Sequence, residues 1–376
     1  MQLVYKTYLS VLRAALWGTE WKGFEDASSD QIAQVVQLAA MHSTGALIFP
    51  MMLANEGVQE ALDTELKTQM KAVCAQTMLQ QVKLQHTLLT AWLALKSAGI
   101  RPVLMKGAGL AALYEKPYFR SWGDVDLFVG KNQYHPACAV MRATFPDALK
   151  FDEELDHYKH YNLIADGISI EVHRVTIGLQ HPIDARRYAR MEQKGMCAER
   201  VEEIVIGDTK VAVPEPTYNV LLVFMHSWEH MLTEGACVRQ LCDLALLLHH
   251  YTAQIDRGQL KRNLQQLHLL DVWQVYMALL VTLMGLPEED APYYTHACVA
   301  RAEKLCDDLL AGKMKPSKAT KPAPENRIAR KWHTMQERLN NARRMERYSA
   351  SYARHMKIET WLHGMLRFFA KDRHWE

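Results

Sequence analysis

The stretch that decides the fold is VLMKGAGLAALYEKPYFRSWGDVDLFV, residues 103–129 of the chain. Its two ends, Val103–Met105 and Asp124–Val129, are runs of strand length, and the second alternates before it becomes fully apolar. Between them lies the glycine-containing loop Lys106–Gly109, and a short helix is expected to follow through Tyr114. The stretch therefore predicts a strand, a loop, a helix and a second strand, in this order.

The residues that follow predict a helix and a hairpin. The helix is expected to run from an N-cap at Asn132 to Phe145. Two strands, His160–Ala165 and Ile168–Thr176, flank Asp166-Gly167, a dipeptide typical of two-residue hairpin turns. The central segment therefore contains both helices and strands.

Helical periodicity flanks this segment on both sides. Apolar residues recur every three or four positions over Gln31–Met41, Glu60–Lys96 and Thr217–Leu286. A turn is expected at Asn55–Gly57, and another hairpin at Val201–Val213. The predicted fold class is therefore α+β: a small mixed β-sheet core with N-terminal helices and a C-terminal helical domain.

We divide the chain into four segments on this basis. They are an N-terminal helical region at 1–98, an α/β core at 99–215, a helical domain at 216–311, and a basic linker with a C-terminal helical tail at 312–376. The linker, residues 312–324, is rich in lysine and proline.

Three carboxylates in the core are candidate metal ligands and catalytic groups: Asp124, Asp126 and Glu171. Residues two apart on a strand point to the same face, so the two aspartates can share metal ions. Glu171 lies within an apolar strand, where a carboxylate without a role or a partner is costly. Oxygen ligands of this kind suit Mg²⁺ or Mn²⁺. In the structural alternative, Asp124 caps the strand and Asp126 faces solvent.

The residues before the aspartates are candidates for binding phosphate groups. Gly107 and Gly109 allow a close approach of backbone N–H groups, and a helix that starts near Ala108 presents its positive end. Lys106 and the forked guanidinium of Arg120 can neutralise phosphate charge. The conjunction of this loop with three carboxylates favours the metal-site interpretation.

At these residues the sequence resembles the nucleotidyltransferase superfamily that includes DNA polymerase β and kanamycin nucleotidyltransferase. It is more closely similar to a bacterial family of uncharacterised nucleotidyltransferases. The similarity covers most of residues 99–290, and the matching positions are Lys106-Gly107, Arg120, Asp124-Val125-Asp126, Glu171-Val172-His173, His226, His230 and Arg239–Asp243.

The resemblance implies a Mg²⁺-dependent transfer of a nucleoside monophosphate from an NTP to an unidentified acceptor. It makes Asp124 and Asp126 the metal ligands and Glu171 the third carboxylate. The sequence departs from the superfamily at Ala108, where glycine or serine is usual, at Glu171, where aspartate is more frequent, and in a longer spacing to Asp124. These departures keep open a non-catalytic nucleotide-binding or regulatory protein on the same fold.

A rival motif lies in the helical domain. His226, Glu229 and His230 match H-x-x-E-H, so a zinc hydrolase is a second alternative, although a short motif has a high false-positive rate. Arg239 and Asp243 are four residues apart on a helix, and a surface or interdomain ion pair is expected. A packed, hydrogen-bonded role in the core is expected for His173, as it is for His157 and His160.

The basic charge of the C-terminal tail predicts a contact with an acidic surface. Residues 312–376 carry 16 Lys and Arg against 6 Asp and Glu, although the whole chain has a net charge of only +2. The expected contacts are an acidic partner, an anionic membrane surface or the acidic body of the protein itself. The last is favoured, with Trp361, Leu362, Leu366 and Phe369 packed inward.

The cysteines and the apolar runs predict a cytoplasmic protein. Seven cysteines without a CxxC pair are typical of thiols in a reducing compartment. Lys6 and Arg13 interrupt the apolar N-terminus, and no cleavage site follows, so no signal peptide is expected. No apolar run reaches the roughly 20 residues that a membrane span needs.

Overall fold

The computed structural model describes residues 2–24, 28–151, 155, 157–179, 182–233, 235, 237–314 and 326–369. Most of the predicted linker and the end of the tail lie outside these residues. The described helices are α1 (Leu3–Trp17), α2 (Ser29–Met41), α3 (Gly45–Ala54), α4 (Glu56–Ala61), α5 (Thr64–Ser97), α6 (Gly107–Ala111), α7 (Gly130–Thr144), α8 (Pro182–Gly195), α9 (Pro216–Thr233), α10 (Val238–His250), α11 (Arg257–Gln266), α12 (Leu270–Met284), α13 (Val299–Leu310), α14 (Arg327–Met345) and α15 (Ala350–Phe369). The strands are β1 (Val103–Met105), β2 (Asp124–Phe128), β3 (Leu149–Lys150), β4 (His160–Ala165), β5 (Ile168–His173), β6 (Glu202–Ile206) and β7 (Thr209–Val213).

Five strands form a small mixed sheet in the order β1-β2-β5-β4-β3, and β6 and β7 form a separate hairpin. β2 and β5 are parallel, whereas the other pairs in the larger sheet are antiparallel. The register places Asp126 opposite Met105 on one side and opposite Glu171 on the other. The predicted α+β class and its small mixed sheet are confirmed.

Strand alternation separates the apolar face of the sheet from its acidic face. Val125 and Leu127 of β2 are fully buried in the same core cluster as Ile170 and Val172 of β5. α5 and α7 supply the helical half of this cluster, with residues such as Tyr134. Because successive side chains point to opposite faces, the carboxylates of β2 and β5 share the other face.

The Asp166-Gly167 turn forms as predicted. Both residues have left-handed backbone angles, with φ of 50° and 78°, as a two-residue hairpin turn between twisted strands requires. β5 ends at His173, three residues before the predicted end. The backbone N–H groups of Arg174 and Val175 both donate to the carbonyl of Lys159, which stops the ladder.

Several helix boundaries differ from the prediction because side chains cap helices locally. Asn55 does not mark a turn; it accepts a hydrogen bond from the N–H of Val58 and starts α4. Asp63 caps α5 in the same way, so the long predicted helix is interrupted. α7 begins at Gly130, whose φ of 71° turns the chain directly out of β2, so Asn132 is not the cap.

The other differences concern α6 and elements that the sequence did not predict. α6 ends at Ala111, before Tyr114, and has only five residues. α8 and the two-residue strand β3 were not predicted. α8 buries Tyr188 and Met191 at helical spacing, whereas a two-residue strand is too short to show a period.

The chain separates into two compact units. The first consists of Met1–Gly178, Met191–Val223 and Cys237–Ile255 and contains both sheets. The second consists of Leu179–Arg190, Phe224–Ala236 and Asp256–Glu376, and its described elements are helical. The four-segment division made from the sequence stays a prediction.

The described part of the chain has no helix that is both long and apolar enough to cross a membrane. In α15, Trp361 and Leu362 are 53% and 46% exposed, so they do not pack inward as predicted. The side chains of Leu366 and Phe369 lie outside the described residues.

Candidate active site

Two parallel strands bring the three predicted carboxylates together. Asp124 and Asp126 lie on β2, and Glu171 lies beside Asp126 on β5. One carboxylate oxygen of each lies within 4.8 Å of those of the other two. Asp126 is only 1% exposed, so it does not face solvent as in the structural alternative.

Asp126 is held between two nitrogen groups. Lys106 Nζ lies 3.1 Å from its Oδ2, and His173 Nε2 lies 2.9 Å from its Oδ1. Burial alone lowers the pKa of Lys106, but Asp126, Asp124 and Glu171 together raise it above its usual value. Lys106 is therefore a counter-charge within the carboxylate cluster.

The backbone at Lys106 and Gly107 adopts positive φ angles, which bring the glycine loop against β2. Lys106 has a φ of 50°, which non-glycine residues seldom adopt, and Gly107 follows with a φ of 36°. A Cβ on Gly107 would lie 3.2 Å from the Trp122 ring and 3.5 Å from the carbonyl oxygen of Asp124. Glycine at this position therefore lets the loop lie directly against the start of β2.

Asp124 differs from Asp126 in having no close cationic partner. Repulsion from Asp126 and burial raise the pKa of Asp124 from 3.8 to about 6, against the smaller opposing effects of Lys106 and Arg239. The two aspartates of one strand are therefore in opposite electrostatic states: one is neutralised by neighbours, and the other is destabilised by its neighbour.

Two histidines surround Glu171. His173 Nε2 lies 3.0 Å from Glu171 Oε2, and His160 Nδ1 lies 3.7 Å from the same oxygen. Burial opposes the charge on Glu171 and on His173, but the bond between them lowers the pKa of Glu171 and, with that to Asp126, raises the pKa of His173. Burial lowers the pKa of His160 to about 4. His160 and His173 are therefore parts of the carboxylate cluster, whereas the sequence favoured packed core roles for both.

The donor set fits a hard divalent cation. Asp124, Asp126 and Glu171 offer carboxylate oxygens only, which Mg²⁺ and Mn²⁺ prefer. Their mutual repulsion, expressed in the raised pKa of Asp124, is the kind of strain that a bound cation relieves.

Arg120 has a different environment from the predicted one. It is 3% exposed, and its Nε and Nη2 donate to the two carboxylate oxygens of Asp243 at 2.9 and 2.6 Å. Its Nη1 donates to the carbonyl of Gly107 at 3.2 Å, and Tyr114 donates to the same Asp243 at 2.8 Å. Arg120 therefore joins α10 to the glycine loop, and the charge of Asp124 also acts on it.

Arg239 lies one helical turn before Asp243 on α10, and the surface ion pair predicted between them is wrong. Asp243 is 3% exposed and binds Arg120 instead. The Nε of Arg239 is buried and donates no hydrogen bond to any described residue. Its charge lowers the pKa of Asp124, so Arg239 is a cationic residue of the site. The sequence favoured an ion pair with Asp243 for this residue.

A family comparison agrees with this geometry. Residues 28–285 match the family model described as "Uncharacterised nucleotidyltransferase". The chain belongs to this family. None of the curated proteins matches it.

A solved structure is similar to part of this chain. It is the crystal structure of an antigenic nucleotidyltransferase-like protein from Paracoccidioides brasiliensis, with 15% sequence identity and a TM-score of 0.34. The match covers 56% of this chain and 94% of that chain.

The H-x-x-E-H motif of the chain does not form a zinc site among the described residues. The rings of His226 and His230 lie edge to face, with their centroids 4.4 Å apart. Where the structure describes side chains, the groups of three metal-ligating residues do not include these two histidines and Glu229. The zinc hydrolase alternative therefore has no geometric support.

Proposed function

We propose that this protein transfers a nucleoside monophosphate from an NTP to an acceptor hydroxyl or phosphate, with Mg²⁺ or Mn²⁺ as cofactor. The observation that carries the proposal is the group of three carboxylates, on adjacent strands and within 4.8 Å of one another, beside a lysine at a glycine loop. The active site lies in the α/β core predicted at residues 99–215, and the helical domain follows it.

Asp124, Asp126 and Glu171 are the residues that would hold the metal. When bound, the cation neutralises the triphosphate and stabilises charge on the reacting phosphate. Lys106 and His173 contact the two oxygens of Asp126, with the ammonium 3.1 Å from Oδ2. The carboxylate of Asp126 is therefore oriented before a substrate arrives.

Two cations near the carboxylates are suited to the triphosphate. Lys106 lies at the start of the glycine loop, and Arg239 has a buried Nε without a hydrogen-bond acceptor among the described residues. A phosphate oxygen would supply that acceptor, since arginine and phosphate form charge-assisted hydrogen bonds. Arg120 acts indirectly, because it positions the loop and α10 through Gly107 and Asp243.

Glu171 is suited to the acceptor. The transfer forms a bond between the acceptor oxygen and the α-phosphorus and breaks the bond from that phosphorus to the bridging oxygen, which releases pyrophosphate. The proton of the acceptor hydroxyl passes to Glu171. Positioning and electrostatic stabilisation supply most of the rate in such a reaction.

A non-catalytic nucleotide-binding protein is the second candidate. Ala108 stands where the superfamily usually has glycine or serine, and its methyl side chain offers no hydroxyl to a phosphate. The two candidates differ in turnover: both predict nucleotide binding, but only the enzyme releases pyrophosphate when its acceptor is present.

Isothermal titration of the full chain with ATP, GTP, CTP and UTP, in Mg²⁺ and in EDTA, tests the proposal. We expect Mg²⁺-dependent binding of at least one NTP. The Asp124→Asn/Asp126→Asn variant should lose this binding while keeping its circular dichroism spectrum. Binding that is equal in EDTA, or equal in the variant, would contradict the proposal.

In the same titration, Arg239→Gln should weaken NTP binding by about tenfold or more, because it removes a charge-assisted contact worth roughly 1.5–3 kcal/mol. The exposed Arg101→Gln is the matched control and should bind as the wild type does. The loss should be smaller for a nucleoside monophosphate than for the triphosphate. An unchanged affinity in Arg239→Gln removes that residue from the site.

A further inference from the structure

The sheet carries a second group of metal-ligating side chains beside the three carboxylates. It consists of His160 on β4 and of Glu171 and His173 on β5. One ligand atom of each lies within 4.8 Å of those of the other two. Glu171 belongs to both groups, so the two positions share one carboxylate.

His173 is placed as a metal-bound histidine would be. Its Nδ1 lies 3.3 Å from the carbonyl oxygen of Val175. A carbonyl can only accept, so Nδ1 carries the hydrogen. Nε2 then lies 2.9 Å from Asp126 and 3.0 Å from Glu171. It either carries a second hydrogen and donates to these carboxylates, or it presents a lone pair, which requires a cation between the three groups. Metal-ligating histidines use this same bond from the other ring nitrogen to a carbonyl.

His160 supplies the second nitrogen. Strand pairing sets it directly opposite His173, and the two ring centroids lie 4.9 Å apart. Its Nδ1 is buried, lies 3.7 Å from Glu171 Oε2, and makes no hydrogen bond to any described residue. A buried polar nitrogen without a hydrogen bond is costly, and it requires an explanation such as an ion.

We propose that His160, Glu171 and His173 bind a first-row transition cation of the Zn²⁺ or Co²⁺ type, next to the all-oxygen position of Asp124 and Asp126. This inference rests on the proposed function only in that Glu171 serves both positions. Imidazole nitrogens favour such cations over Mg²⁺. With bonds of roughly 2.0–2.2 Å, ligand atoms on one ion lie about 3 Å apart, which is already the separation of His173 Nε2 and Glu171 Oε2.

The site is therefore selective at each position. Mg²⁺ is held by oxygens at one end of the cluster, and a nitrogen-preferring cation is held at the other. His157 is a suitable control residue for this site. Its ring lies 5.4 Å from that of His160, but His157 is exposed and does not belong to the metal-ligating group.

Titration of the metal-free full chain with Co²⁺, in excess Mg²⁺ and without nucleotide, tests the proposal. We expect saturable visible absorption with one equivalent of Co²⁺, and its loss when Zn²⁺ is added. His160→Gln should weaken Co²⁺ binding by about tenfold or more, since even residues that only support metal ligands cost 10–100-fold on mutation. His157→Gln, the matched control, should leave the affinity unchanged.

Histidine ring nitrogen NMR on the wild type keeps the test independent of how the variants fold. Two histidine rings should change their signals as one equivalent of Zn²⁺ is added, and Mg²⁺ should leave both unchanged. The proposal is overturned if Co²⁺ gives no saturable absorption, or if it binds His160→Gln and wild type equally. In that case His173 carries a second N–H instead.

These outcomes are separate from those of the nucleotide titration. Binding of NTP with Mg²⁺, but without His160-dependent binding of Co²⁺, contradicts this inference and leaves the proposed function standing. His160-dependent binding of Co²⁺, without binding of any NTP, supports this inference and contradicts the proposed function.

Discussion

In EDTA at about pH 8, the Asp124→Asn variant is expected to be more stable than the wild type, by at most about 3 kcal/mol in the free energy of unfolding. Asp126 and burial raise the pKa of Asp124 to about 6, so its ionisation opposes folding. Because the folded-state pKa lies above the unfolded one, this penalty is complete above pH 6 and fades as the pH falls toward 4. Urea unfolding at several pH values measures the difference, which should shrink in acid.

Asp126→Asn is the same chemical change two residues away, and it should have the opposite sign. It removes the closest counter-charge of the ammonium of Lys106, in a largely buried site, and the charge of one of the two carboxylates that His173 contacts. Loss of one partner of a buried pair costs roughly 3–5 kcal/mol. A destabilised Asp124→Asn, or a stabilised Asp126→Asn, would contradict this description of the cluster.

Saturating Mg²⁺ extends the comparison. A ligand that binds only the folded state stabilises it by mass action. The wild type should therefore gain stability from Mg²⁺, and both variants should gain less. Asp124→Asn would thus be more stable than the wild type in EDTA and lose part or all of that advantage in Mg²⁺.

The second large effect is expected for Asp243→Asn, which should lower the free energy of unfolding by about 3–5 kcal/mol. Arg120 and Asp243 are each 3% exposed, and two parallel hydrogen bonds join them. Among the described residues, the guanidinium forms no ion pair with another carboxylate. The charge of Arg120 would remain buried without compensation. Urea unfolding at neutral pH measures the loss.

Asp271→Asn is the matched control for this change. Asp271 binds Arg301 through two hydrogen bonds of 3.1 and 2.9 Å, but the two side chains are 28% and 34% exposed. Solvent screens such a pair, so this variant should lose no more than about 1–2 kcal/mol. The Arg120→Met/Asp243→Leu double variant should recover much of the loss of Asp243→Asn. Equal losses in the two single variants would show that burial is not the cause.

The strand period made the carboxylate site predictable. Asp124 and Asp126 had to share a face, and the Asp166-Gly167 dipeptide fixed the hairpin that carries Glu171. For His160 on β4 and His173 on β5 the sequence favoured packed core roles, because their contacts with Glu171 depend on a strand pairing that the sequence does not show.

Long-range partners were not predictable in the same way. Nothing near Arg120 in the sequence indicates Asp243 as its partner, and the local i,i+4 rule favoured Arg239 for that role. Tertiary burial overrode the local rule, because a buried guanidinium needs a carboxylate more than an exposed one does. The capping of α4 by Asn55 and the start of α7 at Gly130 depended on local backbone geometry, which composition does not reveal.

The tight turn at Asp166-Gly167 has a consequence for related sequences. The turn has only two residues, so the register of β4 and β5 is fixed. Insertion or deletion of one residue between His160 and His173 would move one of the two histidines to the opposite face of the sheet. The number of residues between these two histidines therefore indicates, from the sequence of a relative alone, whether both lie on the same face of its sheet. A relative that keeps both histidines but changes their spacing by one residue should keep its aspartates and lose the nitrogen-containing position.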